Sequence, residues 1–276
     1  MSFSSAITLR DKHHMPQLGF GVWQVTDAEA EACVTEAFKV GYRSIDTAAI
    51  YRNESGVGRA IKNSHLSRKE MFITTKLWNE DQGRDNALKA IDASLSKLGL
   101  EQVDLYLVHW PSPHRGLYLE TWKAMVEIKK QGLAKSIGVS NFMPEHLQEI
   151  IDATGEVPVL NQIELHPRFQ QKELREFHDK HGIFTECWSP LGQGQILSDS
   201  VLTSIAAKHK KTPAQVIIRW HLQNNFIVIP KSVTPSRIKE NFAVSDFTLD
   251  AEDMKQIASM DRADGRIGPN PMTAQF

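Results

Sequence analysis

Three side chains that can carry charge or move protons recur along the chain at nearly equal spacing. Asp46, Lys76 and His109 stand 30 and 33 residues apart, and Tyr51 follows Asp46 by five residues. The pKa of a tyrosine is ordinarily about 10, but an ammonium about 4 Å away favours the tyrosinate by roughly 4 kcal/mol at an effective dielectric of about 20. The four residues therefore predict a tuned proton donor.

Each of the four has a chemical task in this interpretation. Lys76 makes Tyr51 functional as an acid, and Asp46 keeps Lys76 charged and in place. His109 hydrogen-bonds a carbonyl oxygen and orients it toward Tyr51. No metal is expected, because the histidines at 178 and 181 lack a third ligand nearby in sequence and those at 13–14 lie in a turn. Both pairs are predicted to be solvated surface.

A second group of residues indicates phosphate binding near the carboxyl-terminal part of the chain. Residues 229–237 place Lys231, Ser232, Thr234 and Arg237 around the start of a predicted helix, which Thr234 would cap ahead of Pro235. Main-chain N–H groups and the helix dipole attract phosphate there, and lysine with arginine can clamp an additional monoester. The alternative is an exposed cap with ordinary basic residues.

The elements that must position these groups are eight short β-rich runs separated by stretches with helical spacing. The runs are residues 17–23, 42–47, 71–76, 103–110, 134–141, 159–165, 184–190 and 226–232. Such alternation gives parallel strands, either in an open doubly wound sheet or in a closed barrel. The count of eight favours an α/β fold of the (β/α)8 TIM barrel type, with residues 6–18 as an N-terminal β-hairpin at the barrel bottom.

In a barrel of this type the active site forms at the carboxyl ends of the strands, where the polar residues above fall. Tryptophans fall there as well: Trp23, Trp78, Trp110 and Trp188 lie at or just past predicted strand ends, which indicates a planar cofactor and an aromatic pocket. Two G-x-G segments, at residues 19–24 and 192–197, lack the third small residue of a dinucleotide fingerprint. A Rossmann site is therefore not expected.

Composition limits the class of protein. The 276 residues are 41% hydrophobic, and 32 basic against 33 acidic side chains give a net charge of −1, so no nucleic-acid or membrane partner is expected. Two cysteines do not make a disulfide framework, and no apolar run is long enough to span a membrane. We predict one domain over residues 1–276, in a cytoplasmic enzyme.

Three segments resemble the signatures of the aldo-keto reductase superfamily across the whole chain. They are residues 41–48 with Tyr51, Asn53 and Glu54; residues 143–147 through 161–164; and residues 229–241. The chain is most similar to the microbial 2,5-diketo-D-gluconate reductase group, also described as methylglyoxal reductases. The compact segment 110–118 and the brief tail after Asp264 lead us to expect an open pocket.

The resemblance implies NADPH-dependent reduction of small dicarbonyls, keto sugars, keto esters and aldehydes by a monomer. The implied catalytic residues are Asp46, Tyr51, Lys76 and His109, with Tyr51 as the general acid. The implied substrate-binding residues are Trp23, Tyr51, Trp78, His109 and Trp110. The implied cofactor-binding residues are Gly21, Val22, Trp23, Asp46, Ser140, Asn141, Gln162, Trp188, Ser189, Pro190, Leu191, Gln193, Lys231, Ser232, Val233, Thr234, Arg237, Glu240 and Asn241.

Two other functions stay open at this point. A Schiff-base aldolase on the same barrel would use Lys76 as its nucleophile, although Asp46 would keep that lysine protonated. A reductase-like scaffold could instead bind NADPH with little turnover. Trapping of a carbonyl substrate with borohydride would separate the first from a reductase, and turnover would separate the second.

Overall fold

The strands in residues 6–276 form a two-stranded hairpin and an eight-stranded parallel sheet. The computed structural model describes residues 6–276. The hairpin pairs β1 (Ala6–Thr8) with β2 (His14–Pro16). The parallel strands follow in chain order as β3 (Phe20–Gly21), β4 (Ser44–Asp46), β5 (Phe72–Leu77), β6 (Val103–Val108), β7 (Ala134–Ser140), β8 (Leu160–Glu164), β9 (Phe184–Trp188) and β10 (Ile227–Val228).

The first and last strands of the sheet meet, so the sheet closes into a barrel. Leu18 forms a parallel bridge with Val228, and the Gly19 N–H donates to the Val228 carbonyl at 2.9 Å. The Gly21 N–H donates to the Pro230 carbonyl at 3.2 Å. A side chain at Gly21 would place its Cβ 2.9 Å from the Ile229 carbonyl oxygen. The approach therefore requires glycine at position 21. The regular strands here are two residues long, where the sequence predicts seven residues each.

Helices alternate with the parallel strands, as expected for a (β/α)8 barrel. In the described residues they are α1 (Asp27–Val40), α2 (Glu54–Asn63), α3 (Arg84–Leu98), α4 (Tyr118–Lys130), α5 (Pro144–Thr154), α6 (Lys172–His181), α7 (Ser200–His209), α8 (Pro213–Gln223), α9 (Pro235–Phe242) and α10 (Ala251–Ala258). None of these helices is both long enough and apolar enough to cross a membrane.

Capping side chains fix where several helices begin. Thr26 before α1 and Thr212 before α8 each form a reciprocal capping box with the third helical residue. Thr234 stands at the N-cap position of α9, but its side chain makes no capping hydrogen bond. The predicted cap is wrong in that detail, because the Ser232 hydroxyl accepts the Thr234 N–H at 3.1 Å and turns the chain instead.

The hairpin closes the end of the barrel opposite the predicted site. Ile7, Leu9 and Met15 are buried in a cluster with Leu105 and Leu107 of β6, apart from the main core between barrel and helices. Burying such side chains contributes about 1.5 to 3 kcal/mol each. The predictions of a barrel and of a hairpin at its bottom are confirmed, and the functional groups are left to the open end.

The histidines of α6 do not both lie on the surface as the sequence predicts. His178 is fully buried, where its ring nitrogens pair with Asn161 at 3.0 Å and Thr185 at 2.8 Å. Burial lowers the pKa of His178 to about 3, so the ring is neutral at physiological pH. His178 is therefore a hydrogen-bonded core residue, whereas His13 and His14 are exposed as predicted.

Candidate active site

A cavity of about 1190 Å³ opens at the carboxyl ends of the barrel strands. Nearly all of the predicted catalytic, substrate-binding and cofactor-binding residues line it. The exceptions are Lys76, which lies beneath the cavity floor, and Val22, whose side chain is fully buried in the main core. Residues from all eight barrel segments thus reach one space, as the strand-end argument requires.

Lys76 forms the centre of the charged group under the cavity. Its Nζ lies 2.5 Å from Asp46 Oδ1 and donates to the Thr47 carbonyl at 2.9 Å, and the lysine side chain is fully buried. Burial lowers the pKa of Lys76, but Asp46 and the other nearby groups outweigh burial and leave the pKa raised. Lys76 is therefore a charged ammonium group held in place by Asp46, as predicted.

Tyr51 lies at the end of a single 3₁₀ turn, Ala49–Tyr51, that follows β4. The turn is tied down by Asn53, whose amide donates to the Val22 and Val25 carbonyls at 2.9 and 2.8 Å. Lys76 Nζ lies 5.1 Å from the centroid of the Tyr51 ring. The lysine lowers the pKa of Tyr51 as predicted, but burial outweighs it, so the pKa of Tyr51 is raised overall and the hydroxyl stays protonated.

His109 follows β6 and faces both Tyr51 and Trp78. Its ring centroid lies 5.6 Å from that of Tyr51 and 5.3 Å from that of Trp78, edge-on in both cases. Burial, together with the Lys76 ammonium, holds the pKa of His109 well below its usual range, so the ring is neutral. Within the described residues its Nδ1 has no hydrogen-bond partner.

A second buried carboxyl group, which was not predicted, lies beside the pair of Asp46 and Lys76. Glu186 of β9 accepts from Gln162 Nε2 at 2.8 Å, and the same nitrogen donates to Asp46 Oδ2 at 2.8 Å. Both hydrogens of the Gln162 amide are thereby used, while its Oε1 has no hydrogen bond to any described residue. The only sequence signal for Glu186 was its position two residues before Trp188 on the same strand.

Asn141 connects the floor of the cavity to the wall formed by Trp188. The Asn141 amide donates to the His109 carbonyl and to Ser140 Oγ, both at 3.0 Å. Its Oδ1 accepts from Trp188 Nε1 at 2.8 Å, which fixes the plane of the indole. Asn141 has a φ of 64°, a left-handed conformation that asparagine tolerates better than most residues.

The opposite end of the cavity carries positive charge at the start of α9. Lys231 and Arg237 both line the cavity, and neither forms an ion pair with a described residue. Asn241 of α9 and Glu240 lie beside them, and Glu240 is held by the Thr212 hydroxyl at 2.8 Å. Two free cations on one wall suit an anionic ligand.

The carboxyl-terminal tail closes part of the cavity mouth. The ring of Phe276 stacks on Trp78 at 5.8 Å and meets Trp110 edge-on at 5.1 Å. Farther back, the N–H groups of Ile267 and Gly268 donate to the Glu164 carboxylate at 2.6 and 2.8 Å. Because no periodicity marks the tail, sequence reasoning missed its contribution to the cavity.

The model of the Aldo/keto reductase family matches residues 17–262. The chain belongs to this family. It is 53% identical over 273 residues to methylglyoxal reductase DkgA of Escherichia coli, with 98% of each chain covered. It is 54% identical to an aldo-keto reductase of Mycolicibacterium smegmatis, with 99% of each chain covered.

Solved structures of similar proteins have the same fold. A mutant of Gox0644 in complex with NADPH superposes with a TM-score of 0.96 at 57% identity, with 99% of each chain covered. An aldo/keto reductase from Brucella melitensis gives a TM-score of 0.92 at 56% identity, covering 95% of this chain and 99% of that one. The predictions of the family, the barrel and an oxidoreductase that uses NADPH are confirmed.

Proposed function

We propose that this aldo/keto reductase reduces small aldehydes and ketones to alcohols with NADPH, and that Tyr51 supplies the proton. The observation that carries this proposal is the buried ion pair of Lys76 with Asp46, 2.5 Å long, under the ring of Tyr51. A buried ammonium beside a tyrosine at the wall of a large cavity stabilises the tyrosinate that remains when the tyrosine gives up its proton.

The residues around the cavity fit NADPH. Its volume of about 1190 Å³ exceeds what a small carbonyl compound needs. Gln162 Oε1 is free to accept a hydrogen bond from an amide, and Trp188 offers an indole face held by Asn141. Lys231 and Arg237 would hold a 2′-phosphate, which favours NADPH over NADH. When bound, NADPH supplies the hydride.

The remaining chemistry belongs to the side chains of the protein. Tyr51, protonated because it is buried, gives its hydroxyl proton to the carbonyl oxygen of the substrate as negative charge develops there. Lys76 stabilises the tyrosinate that remains, and Asp46 keeps the ammonium in position. The neutral imidazole of His109 hydrogen-bonds the same carbonyl oxygen and orients it.

The substrate class follows from the walls of the cavity mouth. Trp23, Trp78 and Trp110 line it, and Phe276 narrows it on the side of Trp78. A narrow aromatic mouth suits methylglyoxal, keto sugars, keto esters and aldehydes, and a relative at 53% identity is named a methylglyoxal reductase. We would measure loss of NADPH absorbance with methylglyoxal, 2,5-diketogluconate, a β-keto ester and an aromatic aldehyde, with NADH in parallel.

An aldolase is disfavoured by the same ion pair. A Schiff-base lysine must be neutral to attack a carbonyl carbon, whereas the pKa of Lys76 is raised by its neighbours. Borohydride should therefore trap no substrate on Lys76. A protein that binds NADPH but oxidises none of it over the carbonyl panel would instead be a binding protein.

Replacement of Tyr51 by phenylalanine tests the proton donor. We expect Tyr51→Phe to lose more than nine tenths of carbonyl reduction and to keep NADPH binding, because only the hydroxyl is removed. The matched control is Tyr118→Phe, since Tyr118 bonds Glu149 on the outer helices. Retention of more than about a tenth of the activity in Tyr51→Phe would refute the assigned role.

Replacement of the two cations at α9 tests the cofactor. Alanine at Lys231 or Arg237 should raise the NADPH Michaelis constant about tenfold to a hundredfold, because a charged contact contributes about 1.5 to 3 kcal/mol. The NADH constant should change little. Lys239→Ala, on the exposed side of the same helix, is the control. Equal effects on both cofactors would contradict a 2′-phosphate site.

We further propose a monomer that works in a reducing compartment. Cys33 and Cys187 are both buried and free, as is usual for cytoplasmic proteins. Sedimentation velocity would test the monomer, and a dimer at micromolar concentration would contradict it.

A further inference from the structure

A second cavity lies behind the tail and outside the cofactor cavity. It has a volume of about 180 Å³ and lies between the turn that follows β8 and residues 262–267. Three arginines line it, Arg168, Arg262 and Arg266, together with the buried His166. Ile267 is the one described residue that lines both cavities. Nothing in the proposed reduction uses this second space.

Main-chain contacts hold the walls of this cavity together. The Arg262 N–H donates to the Arg168 carbonyl at 3.2 Å, and the Gly265 N–H donates to the Arg262 carbonyl at 3.1 Å. A Cβ on Gly265 would lie 1.8 Å from the Arg168 carbonyl oxygen, so only glycine allows this approach. The two segments that carry the arginines are therefore fixed relative to one another, and the cavity between them is built into the fold.

Two of the three arginines have direct carboxylate partners, and the third does not. Arg168 pairs with Asp199 at 2.8 Å. Arg262 pairs with Asp264 at 3.2 Å, in a contact where both side chains are more than half exposed. Arg266 has no ion pair and no hydrogen bond to any described residue. Asp264 also lines the cavity, and Glu164 acts on Arg266 through space, so Arg266 is the one arginine of the three without a direct carboxylate contact among the described residues.

Arg266 is also half-buried, which makes its unpaired state costly. Its guanidinium lies 4.6 Å above the Phe169 ring, and burial lowers the pKa of Arg266. A partly desolvated guanidinium has five N–H donors that lose water without gaining partners. An anion in the adjoining cavity would supply the missing acceptors.

His166 provides a second unsatisfied group in the same walls. Its side chain is about 1% exposed, and Nε2 lies 3.1 Å from Glu164 Oε1. Because Nε2 faces a carboxylate, it carries the hydrogen, and Nδ1 has no partner among the described residues. This nitrogen is therefore a buried polar atom without a partner beside the cavity.

We propose that this cavity binds a small oxyanion of the phosphate class, held by Arg266 with His166 and the neighbouring arginines. A guanidinium matches two oxygens of a phosphate in a bidentate pair. With a volume of about 180 Å³, against about 1190 Å³ for the cofactor cavity, the second cavity has room for one phosphate group.

The site adjoins the segment that forms the back of the active-site cavity. Glu164 bonds His166 and also accepts the N–H groups of Ile267 and Gly268. A Cβ on Gly268 would lie 2.4 Å from Trp188 Cη2, so this segment packs directly on the indole. An anion bound beside Arg266 therefore slows hydrogen exchange of the Ile267 and Gly268 amides.

The experiment is a calorimetric titration with inorganic phosphate against chloride at equal ionic strength. Phosphate could also bind at Lys231 and Arg237 and contribute to the measured heat. The titration is therefore run on protein saturated with NADPH and, separately, on the Lys231→Ala, Arg237→Ala double variant. Arg266→Met keeps an apolar group on Phe169 and removes the charge. Arg115→Met removes an exposed arginine elsewhere and is the control.

We expect phosphate to bind the parent protein and Arg115→Met alike, and to bind Arg266→Met at least tenfold more weakly. Phosphate should also slow hydrogen exchange of the amides of residues 267 and 268 in the parent protein. This measurement does not depend on the folding of any variant. Tighter binding of glycerol phosphate than of phosphate would identify a phosphomonoester as the source. The proposal would be overturned if phosphate gave no binding heat, if Arg266→Met bound phosphate as tightly as the parent protein, or if acetate bound as tightly as phosphate.

Discussion

Glu186→Gln should change how the stability of the barrel depends on pH. Glu186 is fully buried, and its Oε1 has no partner among the described residues. Burial, followed by the charge of Asp46, raises the pKa of Glu186 to about 8, although Gln162 and Lys76 oppose this. Glutamine has the same shape and can keep the hydrogen bond from Gln162, so the substitution removes the ionisation and little else.

The sign and size of the effect follow from proton linkage. The ordinary pKa of the carboxyl is 4.5, so between that value and about 8 the folded protein holds a proton that the unfolded chain has released. The free energy of unfolding therefore falls as pH rises, by about 1.4 kcal/mol per unit. Between about pH 5.5 and pH 8 this amounts to at most about 3.5 kcal/mol. Because Glu186→Gln has no ionisable group at this position, this contribution to the pH dependence of its free energy of unfolding is absent.

Urea unfolding at about pH 5.5, pH 7 and pH 8.5 measures the difference directly. Relative to the parent protein, Glu186→Gln should gain about 2 kcal/mol or more from the lowest to the highest pH. Glu173→Gln, at an exposed position on α6, should change by less than about 0.5 kcal/mol. Parallel curves for the parent and Glu186→Gln would refute the reasoning that Glu186 is protonated in the folded protein.

Two further substitutions test the framework and the tail. Asp104 is 5% exposed and accepts from Lys135 at 2.7 Å and from the Ile73 N–H at 2.8 Å, so Asp104→Asn should lower the free energy of unfolding by about 1 to 3 kcal/mol. Urea titration would measure it, and unchanged stability would contradict the assigned contacts. Phe276→Ala removes the ring stacked on Trp78, so it should raise the Michaelis constant for an aromatic aldehyde several-fold more than that for methylglyoxal. Steady-state kinetics would show this, and equal changes would mean that the tail does not contact substrate.

Much of the fold and part of the site could be read from the sequence because they depend on local periodicity. The eight β-rich runs appear as eight parallel strands, and Asp46, Lys76 and His109 fall at their carboxyl ends. Parallel strands in a closed barrel must end on one rim, so residues one βα unit apart converge whatever the loops do. The capping boxes at Thr26 and Thr212 are local for the same reason.

Other features depend on contacts between residues far apart in the chain, and only the tertiary structure decided them. The raised pKa values of Tyr51 and Glu186 come from burial, which cannot be read from the residue type. The position of Phe276 over Trp78, and of Arg266 at the second cavity, depends on how the tail folds back across the barrel. The sequence by itself determined which groups share a rim, because strand periodicity is local. Their protonation and their enclosure were decided by desolvation and long-range packing, which exist only once the chain has folded.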